Sequence, residues 1–234
     1  MNIIVTGASR GIGKELVNLF AQESGNIIIA ISRNKKLLDE LKKDCESFST
    51  NSTVFPFPFD LSSGDMVNGL IPDIKKVIPS VDILVNNAGY LVNKSVEDLS
   101  GEDFDQLFNV NVKSAFLLVQ ALIPHFNPDA HIVNISSMGG FQGSAKFPGL
   151  SLYAASKGAL AIFTECLAEE LKDKNIKVNC LALGAVQTEM LAEAFPGYEA
   201  PIQPQEMAAF IKNFALTGHQ VYNGKILPVS LSTP

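Results

Sequence analysis

Short apolar runs alternate along the chain with stretches in which apolar residues recur at helical spacing. The first run, residues 3–6, ends in a glycine-rich turn, and Ile12, Leu16 and Phe20 follow at the intervals of an amphipathic helix. Strands that alternate with helices of this length form a parallel sheet covered by helices on both faces. The pattern therefore predicts an α/β fold with a mostly seven-stranded parallel sheet, its strands at residues 3–6, 26–32, 53–59, 81–86, 131–136, 176–182 and 225–229.

The third predicted strand contains two prolines, Pro56 and Pro58. Proline has no N–H to donate to a strand ladder, so we expect this strand at an edge of the sheet or with irregular pairing. Ser62 or Ser63 is expected to cap the helix that follows, because a hydroxyl oxygen can accept a hydrogen bond from the free N–H groups of a first turn.

A long helix is predicted to begin after Ser100, which can cap it, and to run to about Phe126. Pro124 is expected to kink or end its last turn, since proline disrupts helical hydrogen bonding. Residues 184–204 are predicted to form a loop, followed by a helix. No linker or repeat interrupts the pattern, so the whole chain is predicted to form a single domain, residues 1–234.

Composition narrows the classes of function. The formal net charge is -6 at pH 7, the pI is about 5.1 and no basic stretch stands out, which argues against a nucleic-acid partner. Cys45, Cys166 and Cys180 are too few and too scattered for a disulfide framework or a zinc site. We therefore predict no metal site, and this use of cysteine favours a reducing compartment.

The N-terminus has neither a charged segment nor a long apolar segment of the kind found in signal peptides. Inspection finds no apolar run of the ~18–20 residues that a membrane helix needs. These two features predict a cytoplasmic protein with no membrane partner.

The glycine-rich turn at residues 6–13 lies between the first predicted strand and the first predicted helix. Glycines allow a tight turn and let a pyrophosphate approach the free N–H groups and the positive dipole end of the helix. A purely structural strand–helix loop is the alternative interpretation. The strand–turn–helix setting favours a dinucleotide-binding domain of the Rossmann type.

Tyr153 and Lys157 are four residues apart in a stretch with helical patterning, so their side chains are expected on one face. The pKa of a phenol is ordinarily near ~10, too high for easy proton exchange at neutral pH. A lysine ammonium one turn away is expected to lower that pKa. Such a pair can act as a general acid in one direction and a general base in the other.

These motifs occur together in a fixed order. The turn has the spacing G-x-x-x-G-x-G, and residues 86–89 (Asn-Asn-Ala-Gly), Asn111, Ser137 and the Tyr153-x-x-x-Lys157 pair follow it. The ordered set strongly resembles the short-chain dehydrogenase/reductase family over about residues 1–190. The resemblance implies an oxidoreductase that acts on a CH–OH or carbonyl group with a nicotinamide cofactor.

The resemblance also implies a role for each matching residue. Tyr153 matches the proton donor to the carbonyl oxygen, and Lys157 the group that lowers its pKa and holds the nicotinamide ribose. Ser137 matches the serine that hydrogen-bonds the substrate oxygen; it is preferred to Ser136 because it keeps the Ser-x-x-Gly spacing. Asn111 resembles the asparagine that holds a water of the proton relay. A strand-end cap for Ser137 and a backbone contact for Asn111 are the structural alternatives.

Cofactor choice depends on the end of the second strand, where NAD-dependent enzymes carry an acid for the ribose 2′-hydroxyl. Here Ser32 takes that place, and Arg33 and Arg10 can bind a 2′-phosphate. We therefore predict that NADP(H) is preferred and that NAD(H) is possible. By resemblance, the cofactor-binding residues are Gly7, Ser9, Arg10, Gly11, Ile12, Gly13, Ser32, Arg33, Asp60, Leu61, Asn87, Ala88, Gly89, Val110, Tyr153, Lys157, Gly184, Val186 and Thr188.

Two positions depart from the family pattern. Leu183 stands where a proline is usual, although Gly184, Val186 and Thr188 still match, so the stiffness of that turn is expected to differ. Near the C-terminus, residues 228–231 (Pro-Val-Ser-Leu) replace a usual aspartate–glycine–glycine turn. An oligomer contact built there is therefore expected to differ as well.

The substrate is expected between two loops, residues 138–150 and residues 187–203. Lys146 is the only cation in the first loop, and the second has no lysine or arginine, which favours a small neutral carbonyl or alcohol substrate. Apolar candidates for the walls are Phe141, Phe147, Met190, Leu191, Phe195 and Tyr198.

The leading hypothesis is an NADP(H)-dependent reductase of ketones or aldehydes. An NAD-linked alcohol dehydrogenase and a catalytically silent dinucleotide-binding regulatory protein are the alternatives, because fold does not determine function. The presence of Ser137, Tyr153 and Lys157 together favours an enzyme. The resemblance implies a homodimer or homotetramer that associates through the helices around Asn111 and Tyr153.

Overall fold

The computed structural model of the chain describes residues 1–62 and 65–231. Within these residues, seven strands form one sheet in the order β3-β2-β1-β4-β5-β6-β7, and every neighbouring pair is parallel. The predicted α/β fold with a seven-stranded parallel sheet is confirmed. The strands are β1 (Asn2–Thr6), β2 (Ile27–Ser32), β3 (Thr53–Pro58), β4 (Val81–Asn86), β5 (Phe126–Ser137), β6 (Lys177–Leu183) and β7 (Ile226–Val229).

Helices connect the strands. A π-helical turn, Met66–Leu70, leads into α3, and a second one, Asn109–Lys113, joins α4 to α5. Short 3₁₀ turns follow α5, β5, α6 and α8. The α-helices are α1 (Gly11–Ala21), α2 (Lys35–Glu46), α3 (Ile71–Val77), α4 (Gly101–Phe108), α5 (Ser114–Leu122), α6 (Ser151–Glu170), α7 (Glu189–Ala194) and α8 (Pro204–Thr217).

Alternate residues of each strand pack into two cores on opposite faces of the sheet. Ile3 and Val5 of β1 join α1, α2 and α8 in one core, whereas Ile4 joins α3, α5 and α6 in the other. Both faces of the central strands are buried, which explains why the strands read as continuous apolar runs. Each fully buried isoleucine or leucine contributes about 1.5–3 kcal/mol.

The chain reverses its direction across the sheet at β1, which pairs with β2 on one side and β4 on the other. Ligands of open α/β sheets bind at the carboxyl ends of the strands where the strand order reverses. The glycine-rich turn follows β1 at this point, and residues 87–89 follow β4. The topology therefore brings both motifs to the same edge of the sheet.

Two predictions about the third strand and the helix after it have different outcomes. Strand β3, which contains Pro56 and Pro58, is at an edge of the sheet, as predicted. The predicted cap is wrong for Ser62, because its hydroxyl donates to the carboxylate of Asp60 (2.6 Å), while Asp65 caps the turn that begins at Met66. Ser63 lies outside the described residues.

The long helix predicted after Ser100 is confirmed at both ends. Ser100 forms a capping box with Asp103, and Pro124 lies in the 3₁₀ turn that ends the helical segment. Strand β5 begins at Phe126 rather than at residue 131, because Phe126 already pairs with Val81 before the register shifts. Asn127, Pro128 and Asp129, which are uncommon within strands, conceal this early start.

The helical segment Gly101–His125 is long and apolar enough, by length and composition alone, to cross a membrane. This corrects the expectation that no apolar run reaches that length. The same segment places Leu118, Val119 and Leu122 in the core of the protein, each at most 1% exposed. The core helix of a globular protein passes the same test, so packing against the sheet accounts for its apolar composition.

A histidine on β5 joins the sheet to α8. His131 is 1% exposed; its Nδ1 lies 3.0 Å from the carbonyl oxygen of Ala215, and its Nε2 lies 3.0 Å from the side-chain nitrogen of Asn179. A carbonyl only accepts and an amide nitrogen only donates, so the ring is neutral with its proton on Nδ1. Burial lowers the pKa of His131 to about 4; the bond to Ala215 opposes this shift and His219 adds to it.

This histidine predicts acid-sensitive stability. Its folded-state pKa is below its ordinary value, so its contribution is fully present above about pH 6.5 and is lost as the pH falls toward 4. Between pH 8 and pH 5 the loss from this group is about 2 kcal/mol. Urea unfolding of the wild type and of His131→Gln should show a smaller pH dependence in the variant. His125→Gln serves as the control and should keep the wild-type dependence; equal slopes in all three proteins would contradict the assignment.

Candidate active site

A cavity of about 710 Å³ lies at the carboxyl ends of the strands, between the glycine-rich turn, α6 and α7. Every predicted site residue lines it except Gly13 and Asn111. The predicted lining residues are Gly7, Ser9, Arg10, Gly11, Ile12, Ser32, Arg33, Asp60, Leu61, Asn87, Ala88, Gly89, Val110, Ser137, Tyr153, Lys157, Gly184, Val186 and Thr188.

The glycines of the turn are required by close backbone contacts. Gly7 has φ +67°, and a Cβ on it would lie 2.9 Å from the Cα of Ala88. A Cβ on Gly13 would lie 2.2 Å from the carbonyl oxygen of Gly7. Gly13 therefore packs α1 against the turn and does not reach the cavity, whereas Gly7 holds the turn against the segment after β4.

The first turn of α1 fits an anionic group. Arg10, the N-cap residue, makes no side-chain hydrogen bond to the helix, and Gly11 and Ile12 line the cavity. Free N–H groups at the start of a helix and the positive end of its dipole bind phosphate groups. The free N–H groups at Gly11 and Ile12 therefore fit the pyrophosphate of a dinucleotide.

Polar and cationic groups surround the cavity where β2 ends. Ser32 is the last residue of β2, and its hydroxyl donates to the hydroxyl of Ser9 (2.8 Å). Arg33 follows it, and Arg10 lies on the glycine-rich turn, where its guanidinium is 3.4 Å from the carboxylate of Glu193. Ser32 supplies no negative charge that would repel a 2′-phosphate, and the two arginines can attract one.

Tyr153 and Lys157 lie one turn apart on α6 and line the cavity together. The Lys157 ammonium is 5.9 Å from the centre of the Tyr153 ring and donates to the carbonyl oxygen of Ile135 (2.9 Å). Lys157 is only 4% exposed, and this burial lowers its pKa to about 8. The ammonium is therefore held by β5, and among the described residues it donates to this carbonyl rather than to the phenol oxygen.

The pKa of Tyr153 differs from the prediction. Burial raises it above its ordinary value, and a side-chain hydrogen bond with Ser137 opposes the shift only in part. The expectation that Lys157 lowers the pKa of Tyr153 is wrong for this geometry: Lys157 is not among the groups that shift this pKa, and its ammonium donates to the Ile135 carbonyl. At neutral pH the phenol is protonated, which is the state that a proton donor requires.

The two neighbouring serines at the end of β5 have different partners. Ser137 accepts a hydrogen bond from the N–H of Gly139 (3.2 Å) and interacts with Tyr153. Ser136 is buried, and its hydroxyl donates to the carbonyl oxygen of Lys157 (2.8 Å). Ser136 thus fastens α6 to β5, and the hydroxyl beside the phenol is that of Ser137.

Asn111 lies in the π-helical turn between α4 and α5 and is buried behind the cavity. Its amide accepts from the N–H of Tyr90 (2.8 Å) and donates to the Tyr90 carbonyl (2.9 Å) and to Ser156 (2.9 Å). Ser156 in turn donates to the carbonyl of Tyr153 (2.7 Å). Ser156 was not singled out from the sequence, although it immediately precedes Lys157.

The turn after β6 is held by strand pairing. Leu183 is the last residue of β6, pairs with Val229 and is buried in the core. The N–H of Gly184 donates to the Val229 carbonyl (2.8 Å), and a Cβ on Gly184 would lie 2.4 Å from the hydroxyl oxygen of Ser230. Leucine replaces the usual proline here without loss of order, because β7 and residue 230 restrain the turn.

The loop predicted at residues 184–204 contains a short helix, α7, which Thr188 caps by accepting from the N–H of Leu191 (3.3 Å). Residues typical of loops lie on both sides of α7, so the sequence pattern did not indicate this helix. Phe141 lies outside this cavity and lines a neighbouring one with Phe147. The other predicted apolar wall residues do line the cavity: Phe147, Met190, Leu191, Phe195 and Tyr198.

A model of the family described as short chain dehydrogenase matches residues 1–199. The chain belongs to this family. A 3-oxoacyl-(acyl-carrier-protein) reductase of Thermotoga maritima is 35% identical over 189 residues, which cover 80% of this chain and 74% of that protein. This short-chain dehydrogenase is therefore an NAD(P)-dependent oxidoreductase, as its sequence predicted.

Two solved structures of the family superpose on nearly the whole chain. A Burkholderia cenocepacia short-chain dehydrogenase in complex with NADP has a TM-score of 0.84 at 26% identity and covers 97% of this chain and 95% of its own. A 3-ketoacyl-(acyl-carrier-protein) reductase of Brucella melitensis complexed with NADH has a TM-score of 0.86 at 26% identity and covers 98% and 96%. Similar structures therefore bind both cofactor types that the sequence predicted.

The contact between Gly7 and Ala88 predicts a specific effect of substitution. Gly7→Ala should destabilise the fold and weaken NADPH binding at least about tenfold, since ~1.4 kcal/mol of displaced backbone contacts suffices. Gly25→Ala is the matched control, because Gly25 has φ +83° and open space around its Cβ position. The control should lose about 1–2 kcal/mol of stability but no affinity. Thermal unfolding and cofactor titration measure the two effects; equal affinities for Gly7→Ala and wild type would contradict the role of this contact.

Proposed function

We propose that this short-chain dehydrogenase is an NADP(H)-dependent reductase that converts a ketone or aldehyde to an alcohol, with Tyr153 as proton donor. The observation that carries the proposal is the meeting of Ser137, Tyr153 and Lys157 in one cavity with the glycine-rich turn. A protein that only bound a dinucleotide would have no use for a half-buried phenol beside a hydroxyl and an ammonium.

The proposed cofactor preference comes from the residues at the end of β2. Ser32 supplies no carboxylate for a ribose 2′-hydroxyl, and Arg33 and Arg10 line the cavity beside it. A guanidinium binds phosphate through two hydrogen bonds, so these arginines support a 2′-phosphate. NAD(H) remains possible at this site, since a similar structure binds NADH.

The chemistry divides between the cofactor and the protein. A bound nicotinamide supplies the hydride. Tyr153, protonated at neutral pH because burial raises its pKa, donates its proton to the carbonyl oxygen. The hydroxyl of Ser137, beside the phenol, hydrogen-bonds the same oxygen as negative charge develops there. Both groups act on one oxygen, which orients the carbonyl carbon toward the cofactor side of the cavity.

Lys157 has two tasks in this proposal. It holds a ribose hydroxyl of the nicotinamide, and its positive charge stabilises the phenolate that Tyr153 becomes after donating its proton. The Lys157 ammonium donates a hydrogen bond to the Ile135 carbonyl oxygen (2.9 Å), and this bond holds the ammonium in place. Asn111 supports the same turn of α6 through Ser156, whose hydroxyl bonds to the Tyr153 carbonyl. We assign Asn111 the water of the proton relay by family resemblance.

Apolar side chains support a neutral substrate. Phe147, Met190 and Phe195 line the substrate part of the cavity, and Lys146 donates to the carbonyl of Phe141 and to Ser144 rather than to this cavity. The relative from Thermotoga maritima is named as a reductase of a 3-oxoacyl group, which supports reduction of a keto group here.

The long helices around the site support association. Phe104, Phe116 and Ile162 are 44%, 41% and 58% exposed on α4, α5 and α6. Large apolar side chains that remain exposed on adjacent helices favour a protein contact. We therefore propose a homodimer or homotetramer that associates through these helices, and we retain a cytoplasmic location from the sequence.

Tyr153→Phe tests the proposal. The variant should lose carbonyl reduction by about 100-fold or more, because general acid catalysis contributes roughly 10²–10⁴-fold. It should bind NADPH nearly as tightly as the wild type. NADPH oxidation is measured by absorbance against a panel of ketones, aldehydes and 3-oxoacyl thioesters. Tyr222→Phe is the control, because that tyrosine lies outside the cavity lining. Unchanged turnover in Tyr153→Phe would remove Tyr153 from the mechanism, and NADPH binding without turnover on any substrate would favour the silent binding protein.

The pKa of Lys157, lowered to about 8, predicts the pH dependence of reduction. The ammonium is lost as the pH rises through about 8, so kcat/KM for carbonyl reduction should fall above that pH. Lys157→Arg should be less active but should lose this fall, because arginine stays charged. Rates from pH 6 to 10 measure both profiles. A fall near pH 8 in the arginine variant as well would assign the titration to another group.

A further inference from the structure

Helix α7 brings two carboxylates to the glycine-rich turn. Glu189 and Glu193 are separated by one helical turn and therefore lie on one face of α7. Glu193 forms an ion pair with Arg10 at 3.4 Å. The carboxylate of Glu189 lies 3.5 Å from the Cβ position of Gly11, and Glu189 lines the cavity. Helix α7, which lines the proposed substrate part of the cavity, thus places two negative charges beside the first turn of α1.

These positions coincide with the places proposed for cofactor phosphates. Arg10 is proposed to hold the 2′-phosphate, and Gly11 begins the helix proposed to receive the pyrophosphate. Like charges at about 4 Å repel by ~1 kcal/mol in bulk water and by more near a protein surface. A carboxylate and a phosphate therefore compete for the same cation and for the same helix terminus.

We propose that Glu193 and Glu189 determine cofactor selectivity and affinity by competing with the phosphates of NADP(H). Glu193 competes for Arg10 and so acts against the 2′-phosphate alone. Glu189 competes at Gly11 and so acts against the pyrophosphate, which NADPH and NADH share. This inference depends on the proposed function as an NADP(H) enzyme.

The competition links cofactor binding to the substrate wall. Met190 and Leu191 lie between the two acids on α7 and line the cavity. The ion pair is exposed, with 47% of the Arg10 side chain and 70% of the Glu193 side chain accessible, so its stabilisation is modest and reversible. When a 2′-phosphate binds Arg10 in place of Glu193, α7 loses one of the contacts that hold it to the rest of the protein. A second contact, the hydrogen bond from the Asn93 side chain to the Ala194 carbonyl (2.9 Å), remains.

The experiment measures dissociation constants of NADPH and NADH for the full chain at low ionic strength, by the fluorescence of the reduced nicotinamide. Glu193→Gln should tighten NADPH about 2- to 5-fold, the range of an exposed ion pair, and leave NADH unchanged. Glu189→Gln should tighten both cofactors by similar factors. Glu199→Gln is the matched control: it removes the same charge from the same segment, and Glu199 forms no ion pair among the described residues.

A second arm isolates the pair. In an Arg10→Gln background, Glu193→Gln should no longer affect NADPH, because the cation for which the two anions compete is gone. The gain in the single variant should also shrink at high salt. Thermal unfolding should show all variants folded, since the three glutamates are exposed.

Opposite results overturn the inference. Weaker NADPH binding in Glu193→Gln would show that Glu193 positions Arg10 for the phosphate, and an equal gain in Glu199→Gln would show a general effect of net charge. If the wild type binds NADPH and reduces carbonyls but Glu193→Gln leaves the ratio of the two affinities unchanged, only this inference fails. If the wild type binds neither cofactor, the proposed function fails and this inference with it.

Discussion

The site depends on how two chain segments are joined where the topology reverses. Thr6 ends β1, and its hydroxyl accepts hydrogen bonds from the N–H groups of Asn87 (3.0 Å) and Ala88 (2.9 Å), which follow β4. The Asn87 side chain donates back to the Thr6 carbonyl (3.0 Å). Because one buried hydroxyl satisfies two backbone donors, the glycine-rich turn and residues 87–89 form a single wall. This wall lines the cavity at the end of β1 and β4.

Features that depend on neighbouring residues in the sequence were predictable. The glycine-rich turn, the edge position of β3 with its two prolines and the Ser100 capping box each follow from local stereochemistry. The set of cavity residues was also predictable, because motifs that follow parallel strands meet at one edge of the sheet. The family resemblance indicated which of those residues are the candidates for catalysis and for cofactor binding.

Features that depend on tertiary contacts were not predictable in the same way. The partner of Lys157 is the carbonyl of Ile135, a backbone group that leaves no signal in the sequence. The burial that raises the pKa of Tyr153 likewise comes from tertiary packing. Helix α7 was concealed by flanking loop signals, and the early start of β5 by polar residues. For Lys157 and for the start of β5, the deciding partners, Ile135 and Val81, lie on segments distant along the chain.

The position of Lys157 has a consequence for the chemistry. Burial lowers the pKa of Lys157 to about 8, and the Ile135 carbonyl accepts a hydrogen bond from the buried ammonium. Burial raises the pKa of Tyr153, so its phenol is protonated at neutral pH, which is the state that the proposed proton donor requires. In the proposed mechanism, a cation that stabilises the developing phenolate also makes the phenol a stronger acid, so Lys157 favours the proton transfer. The position of both groups also depends on Ser136, whose hydroxyl donates to the Lys157 carbonyl and so holds this turn of α6 against β5.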